Sequence, residues 1–200
     1  MKESDFVKKI IDKYATDEGL KRLLITHSRC VARKALSVAA ACGIDTQIDS
    51  QFVYDAAMLH DIGIVECDAP SIHCHGTRPY ICHGIAGAEI LAREGIGEAY
   101  RRVCERHTGS GLTAEEIKER NLPLPARDFL PETLEERLIC YADKFYSKSS
   151  NPTAEKSMEC VEASMSRHGE EALRRFEALR RQFEPADGAV PQTTGEGLLL

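Results

Sequence analysis

The chain has 200 residues, of which 42% are hydrophobic and 29% are charged, and its formal net charge is −6. This composition is typical of a globular protein large enough to bury a core. The acidic balance argues against binding to nucleic acid polymers or anionic membranes, which requires basic surfaces. Because no apolar run could span a bilayer and the first residues lack a secretory apolar core, we expect a cytoplasmic protein whose eight cysteines are free thiols.

Apolar residues recur with helical spacing along most of the chain and predict seven helices before residue 150. In chain order, the predicted helices lie near residues 6–14, 20–42, 50–59, 83–94, 96–107, 113–120 and 131–146. Ser50 is the predicted N-cap of the third helix, and Gly43 and Gly95 are predicted to end the second and fourth. One or two further helices follow Pro152 and extend to about Phe183. Since no segment has reliable strand alternation, the predicted fold class is all-α.

Two connections are rich in proline or in cysteine and histidine, residues 65–82 and residues 121–131. Long loops in compact domains often overhang a functional site on a rigid scaffold. We expect one helical domain over residues 1–150, helices that pack on it over residues 151–184, and a flexible tail over residues 185–200.

Six metal-capable side chains lie on the core-facing stripes of the predicted helices: His27, His60, Asp61, His83, His107 and Asp143. A single buried histidine is usually a satisfied core residue, and a single buried aspartate is usually a cap or an ion-pair partner. Burying two carboxylates without cations is costly, and the lysines and arginines lie mostly on the opposite stripes. A shared divalent metal ion would resolve this deficit, since imidazole and carboxylate suit Fe, Mn, Zn and similar ions.

The order of these residues, with the adjacent pair at His60-Asp61 continuing as Ile62-Gly63, resembles the HDIG variant of the HD-domain superfamily of metal-dependent phosphohydrolases. The segments LKRLLITHS at 20–28 and CYADKF at 140–145 resemble the first and last ligand helices of that family. The resemblance covers residues 20–148 and implies an HD-domain-like helical bundle with a C-terminal helical extension.

The resemblance also implies a ligand set and a reaction. One metal ion would be held by His27, His60, Asp61 and Asp143. His83 and His107 match the additional histidines of two-metal members, in which Asp61 bridges the ions. The cofactor would be one or two divalent ions (Fe, Mn, Zn, Ni or Mg). The expected reaction is hydrolysis of a small phosphorylated metabolite, with a nucleotide as the favoured class.

Roles follow from that reaction. Asp61, His83 and His107 are the catalytic candidates, because a two-metal site activates water for attack on phosphorus. Arg78, in the histidine-rich loop, and Lys144, beside Asp143, are the candidates for binding the substrate's charge. The alternative for each is a solvated basic residue. A homodimer is left open.

Other interpretations of the same residues stay open. Some HD proteins with these six ligands are mixed-valent diiron oxygenases, and others could bind a ligand without turnover. Ile64 occupies the position where single-metal deoxynucleotide monophosphatases usually have glutamate, which makes that branch a poorer match. A structural zinc site is the rival use of the loop residues Cys67, His73, Cys74, His75 and Cys82. Gly63 either allows a sharp turn or ends the helix, and His168 is predicted to lie on the surface.

Overall fold

The structure is a computed structural model that describes residues 1–148 and 151–184, and these ranges fold into nine α-helices. The helices are α1 (Asp5–Tyr14), α2 (Glu18–Ala41), α3 (Ser50–Leu59), α4 (His83–Arg93), α5 (Glu98–Arg106), α6 (Ala114–Glu119), α7 (Leu134–Asp143), α8 (Met158–Ser166) and α9 (Glu170–Phe183). The predicted all-α fold class is confirmed.

The longest helix, α2, is the centre of the bundle and packs against α3 and α7. It begins where the Asp17 side chain accepts a hydrogen bond from the Leu20 amide at 2.8 Å, an N-cap that satisfies an otherwise unpaired donor. Its buried stripe includes Leu24, His27 and Val31, all fully buried. The chain leaves the helix through Gly43 at φ +65°, a left-handed conformation that glycine adopts without strain, as predicted.

The connection from α3 to α4 is ordered rather than irregular. It contains the 3₁₀ helices Ile62–Glu66, Pro70–Ile72 and Tyr80–Cys82, and a hairpin of two short antiparallel strands, β1 (Asp68–Ala69) and β2 (Cys74–His75). Two-residue strands are too short to leave an alternating pattern, which is why the sequence did not predict them. The loop therefore forms a fixed wall before α4.

Two helix starts differ from the predictions because the capping side chains lie elsewhere. Asp49, rather than Ser50, caps α3. Its side chain accepts hydrogen bonds from the backbone amides of Gln51 and Phe52 at 2.9 and 3.0 Å. The last helix before residue 150 begins after Thr133, which forms a capping box with Glu136, so it starts three residues later than Pro131. That helix ends at Asp143 instead of continuing to Tyr146.

The two C-terminal helices pack against each other, and α9 packs against α7. The Tyr141 ring of α7 stacks on Phe176 of α9 with centroids 5.8 Å apart, and the Ser110 hydroxyl donates to the Ala172 carbonyl at 2.7 Å. The predicted tail, residues 185–200, lies outside the described residues. Among the residues that are described, no helix is long and apolar enough to cross a membrane.

Candidate metal centre

The six predicted metal ligands come together in the interior, where each is at most 8% exposed. His27 lies within α2, but the other five lie at helix ends. His60 and Asp61 follow the last residue of α3, and His83 is the first residue of α4. The remaining two are His107, which caps the C-terminus of α5, and Asp143, which is the last residue of α7. The helix ends therefore converge on one point.

The Asp61 carboxylate divides this cluster into two groups. Its Oδ2 lies 3.1 Å from His27 Nε2 and 2.9 Å from His60 Nε2. Its Oδ1 lies 3.3 Å from His107 Nε2 and 3.6 Å from His83 Nε2. Asp143 belongs to the first group, because its Oδ1 lies 3.0 Å from His27 Nε2. Within each group the potential ligand atoms all lie within 4.8 Å of one another, so each group could hold a metal ion.

Three of the imidazole rings are oriented by the backbone. In each ring, Nδ1 lies close to the backbone carbonyl oxygen of the residue three positions earlier. The distances are 2.6 Å for His60, 2.7 Å for His83 and 2.8 Å for His107. Since a carbonyl can only accept, each Nδ1 carries the proton and donates it. In the neutral ring the Nε2 lone pair then points into the cluster, the arrangement found in metal-ligating histidines.

The second group contains acceptors that lack a cation. The Nε2 atoms of His83 and His107 are 2.9 Å apart, and both face Asp61 Oδ1, which accepts no hydrogen bond within residues 1–148 and 151–184. Burial and the neighbouring His107 lower the pKa of His83 to about 3, so the His83 ring is neutral at physiological pH, and burial also lowers the pKa of His107. Two lone pairs facing a carboxylate repel one another unless a cation lies between them. The donor set therefore fits a divalent metal ion.

The first group differs in its protonation. Burial alone would lower the pKa of His60, but the Asp61 and Asp143 carboxylates outweigh burial and raise it to about 9. Burial would likewise raise the pKa of Asp61, yet the charges on His60 and Lys148 hold it well below its usual range. Both carboxylates are thus ionised, which is the form that binds metal.

Two lysines also reach these carboxylates, so the expectation that cations are too few near them is wrong. Lys144 Nζ lies 2.8 Å from Asp143 Oδ2 and donates to the His107 carbonyl at 2.8 Å. Lys148 Nζ lies 2.6 Å from Asp61 Oδ2. Both lysines follow the end of α7, where helical stripes no longer determine the direction of a side chain. The fit of a metal ion consequently rests on the histidine lone pairs and Asp61 Oδ1.

Gly63 allows close packing of α4 against the turn after Asp61. A Cβ at Gly63 would overlap the carbonyl oxygen of His83 and the amide nitrogen of Gly87. On the other side of α4, a Cβ at Gly84 would lie 2.6 Å from the carbonyl oxygen of Cys104 in α5. Neither of the two predicted roles of Gly63, a sharp turn or a helix end, accounts for this contact. Its lack of a side chain brings His83 to the cluster.

Two other predicted features lie apart from this centre. The Arg78 guanidinium pairs with Glu89 Oε2 at 2.6 Å and with Glu66 Oε2 at 3.4 Å, so its role in substrate binding stays a prediction. The cysteine–histidine loop does not assemble a metal group among the described residues. Burial raises the pKa of Cys74 to about 11, which keeps this thiol protonated, and all eight cysteines are free, as predicted.

A cavity of about 290 Å³ opens beside the cluster and is lined by His83, His107 and Asp143. Its other walls carry side chains that sequence reasoning did not select, above all Lys148 and Lys156. The remaining lining includes Tyr80, Lys144, Tyr146 and the exposed residue His168. In the sequence, the only indication of these lysines was the position of Lys144 and Lys148 shortly after Asp143. The segment after α7 has no periodicity, so the sequence does not show where their side chains point.

Comparison with known proteins gives relatives over part of their length. The chain is 36% identical over 130 residues to a tRNA (cytidine(56)-2′-O)-methyltransferase of Picrophilus torridus, and 33% identical over 129 residues to that of Thermoplasma volcanium. These matches cover 65% and 64% of this chain, which spans only 33% of the length of each relative. An uncharacterised protein of Methanocaldococcus jannaschii is 37% identical over 121 residues, 60% of this chain and 64% of that protein.

Solved structures with the same fold include the HD domain of the L. monocytogenes phosphodiesterase PgpH. The TM-score is 0.51 at 16% identity, with 90% of this chain and 96% of that chain covered. For the complex of that domain with cyclic-di-AMP the TM-score is 0.50 at 18% identity, with 88% and 93% covered. The HD domain family model matches residues 24–147, which include all six clustered histidines and aspartates. The chain belongs to the HD domain family.

Proposed function

We propose that this protein is a metal-dependent phosphohydrolase that acts on a small phosphorylated metabolite, with nucleotides as the first class to test. The observation that carries the proposal is the division of Asp61 between two ligand groups, with Oδ2 facing His27 and His60 and Oδ1 facing His83 and His107. A carboxylate shared in this way suits a bridge between two ions. Membership of the HD domain family supports the same reaction.

In this proposal, His27, His60, Asp61 and Asp143 hold one ion, and Asp61, His83 and His107 hold a second. Divalent ions at these positions would supply Lewis-acid assistance to a phosphoryl oxygen and lower the pKa of water. The protein fixes the geometry, because the backbone carbonyls that accept from each Nδ1 keep the imidazoles aimed at the centre.

The residues of the cavity wall bind and orient the substrate. The Lys144 ammonium lies beside Asp143 and lines the cavity, which supports a role for it as a donor to a phosphoryl oxygen. The Thr108 hydroxyl lies 3.4 Å from His83 Nε2, so it can donate a second hydrogen bond to a phosphoryl oxygen of the substrate. The Tyr80 ring stacks on the His83 ring with centroids 4.9 Å apart and restricts the movement of that imidazole.

The names of the relatives bear on substrate choice only in part. The methyltransferase relatives align over a third of their length, so their methyl transfer is not extended to this chain. The PgpH domain is a phosphodiesterase whose structure contains cyclic-di-AMP, which supports including cyclic dinucleotides among the substrates tested.

The test compares two isosteric variants of buried aspartates. Asp61→Asn should abolish metal retention and phosphate release, because the amide cannot bridge two cations. Asp55→Asn is the matched control, since Asp55 is 1% exposed and accepts hydrogen bonds from Ser4 rather than facing the cluster. It should retain its metal. Far-UV circular dichroism checks that both variants stay helical.

Anaerobically purified wild-type protein is analysed for metal, then assayed with nucleoside mono-, di- and triphosphates, cyclic dinucleotides and sugar phosphates. Phosphate release that depends on the bound ion supports the proposal. Iron with dioxygen consumption and no phosphate release would instead identify the oxygenase alternative. Full activity in Asp61→Asn would refute the assignment of the site.

A further inference from the structure

We infer that the cavity beside the metal centre is a subsite for a second phosphoryl group, so that the substrate is a diphosphate or bisphosphate rather than a simple monoester. This inference rests on the proposed function, because it places the group to be hydrolysed at the Asp61 cluster. It names three lysines as the recognition elements of the subsite: Lys144, Lys148 and Lys156.

The first argument is the concentration of positive charge in an acidic protein. The net charge of the chain is −6, yet three lysine side chains line one cavity of about 290 Å³. Lys144 is 9% exposed and the Lys148 side chain is 15% exposed. Burying ammonium groups is costly unless they are paired. The contacting carboxylates, Asp143 and Asp61, balance only two of the three ammonium groups.

Two of the three ammonium groups are paired with carboxylates of the proposed metal centre. Lys144 and Lys148 lie against Asp143 and Asp61, the same two carboxylates that would bind metal. A divalent ion held by these carboxylates would take over their negative charge, so both ammonium groups would then need another anion. A second phosphoryl group in the adjoining cavity, which both lysines line, meets this need.

Lys156 has no carboxylate partner among the residues that the structure describes. Its Nζ donates to the carbonyl oxygens of Lys144 and Tyr146 at 3.4 and 3.3 Å, and no described carboxylate lies within 4.0 Å of it. An ammonium group has three N–H donors, so at least one remains for a ligand. Burial, together with the charges of Lys144 and Lys148, outweighs the opposing charge of Asp143 and lowers the pKa of Lys156, a cost that an anion in the cavity would reduce.

Two of the three lysines, Lys148 and Lys156, lie beyond the part of the chain that the family model matches. The HD domain model ends at residue 147, just before Lys148 and ahead of Lys156. The segment that carries them leads into α8, whose Ser164 and Met165 also line the cavity. Helix α8 thus contributes to one wall of the site. A cavity of this volume is at the small end of the range for ligand pockets, about 300–1,000 Å³, which suits a phosphoryl group better than a polymer.

The test measures binding of two ligands that cannot be hydrolysed at a P–O bond between phosphoryl groups. Methylphosphonate offers one phosphoryl group and methylenediphosphonate offers two. Isothermal titration with Mn²⁺-loaded protein, repeated with chelator-treated protein, gives the ratio of their dissociation constants. We expect wild-type protein to prefer the diphosphonate by at least about tenfold, the value of one charge-assisted hydrogen bond to the second group.

The same lysine-to-glutamine change at two positions distinguishes recognition in the subsite from a general effect of removing one positive charge. Lys156→Gln should remove most of the preference, and Lys156→Arg should restore it. Lys34→Gln is the control. Lys34 does not line the cavity, and it pairs at 2.6 Å with Glu155, the residue that precedes Lys156 in the sequence. It should keep the preference. Thermal unfolding of each variant checks folding.

The inference is overturned if wild-type protein shows no preference, if Lys156→Gln keeps it, or if Lys34→Gln loses it equally. Failure of the proposed function would look different. In that case metal-loaded wild-type protein would release no phosphate from any compound tested, while the preference for the diphosphonate and its dependence on Lys156 would persist.

Discussion

Gly63→Ala is the substitution whose effect can be worked out most directly from the structure. The new methyl group would overlap the His83 carbonyl oxygen and the Gly87 amide nitrogen, which belong to the backbone of α4. Backbone cannot rotate away as a side chain can, so α4 must shift by more than about 1 Å to restore van der Waals distances. Overpacking of this kind costs about 1–3 kcal/mol of the free energy of unfolding.

The shift also has a local consequence, because His83 is the first residue of α4. Moving it should weaken the second ligand group and leave the first, so we expect the metal content to fall from about two ions per chain to about one. Urea unfolding of chelator-treated protein measures the stability change apart from the metal, and elemental analysis gives the ion count. Gly97→Ala is the control, since a Cβ there meets nothing within 4 Å. Unchanged stability together with an unchanged ion count would refute the packing argument.

Two further predictions concern the ligand groups and the start of α7. The double variant His83→Ala with His107→Ala should retain about one ion, because Asp61 alone remains in its group; an unchanged ion count would indicate that one ion is bound in the wild type. Glu136→Ala should lower the free energy of unfolding by about 2–3 kcal/mol, since this 3% exposed carboxylate accepts from Arg102 Nε at 2.6 Å and completes the cap of α7. Urea denaturation measures this, with Glu135→Ala as control, and a loss equal to that of the control would contradict it.

Helical periodicity predicted much of the fold because most helices here bury one stripe. The apolar residues of α2 between Leu20 and Ala35 are an example, because they recur with helical spacing and are buried in the core of the protein. Helix ends were less predictable, since they depend on which side chain caps the backbone. Asp49 and Ser50 are both good caps, and only the tertiary position of the loop before α3 decides between them.

In the candidate site, helical periodicity predicts the direction of side chains within a helix but not of those beyond its end. The burial of Asp61 and His60 followed from their spacing to apolar residues on α3. Consecutive residues of a helix point about 100° apart, but α7 ends at Asp143 and the Lys144 side chain returns to the Asp143 carboxylate. Lys148 lies in a segment without periodicity, so its contact with Asp61 required a three-dimensional structure.

The convergence of helix ends would tie the stability of this protein to a metal ion bound at the proposed site. His27 and Asp143 meet across 116 residues of sequence, so an unfolded chain has no preformed binding site for an ion. Binding then adds to the free energy of unfolding, by about 2.7 kcal/mol for a single ion at one hundred times its dissociation constant. A contribution of this size is a large share of the stability of an ordinary domain. An ion bound as proposed would therefore keep the chain folded for more of the time, and the chain without it would open more often.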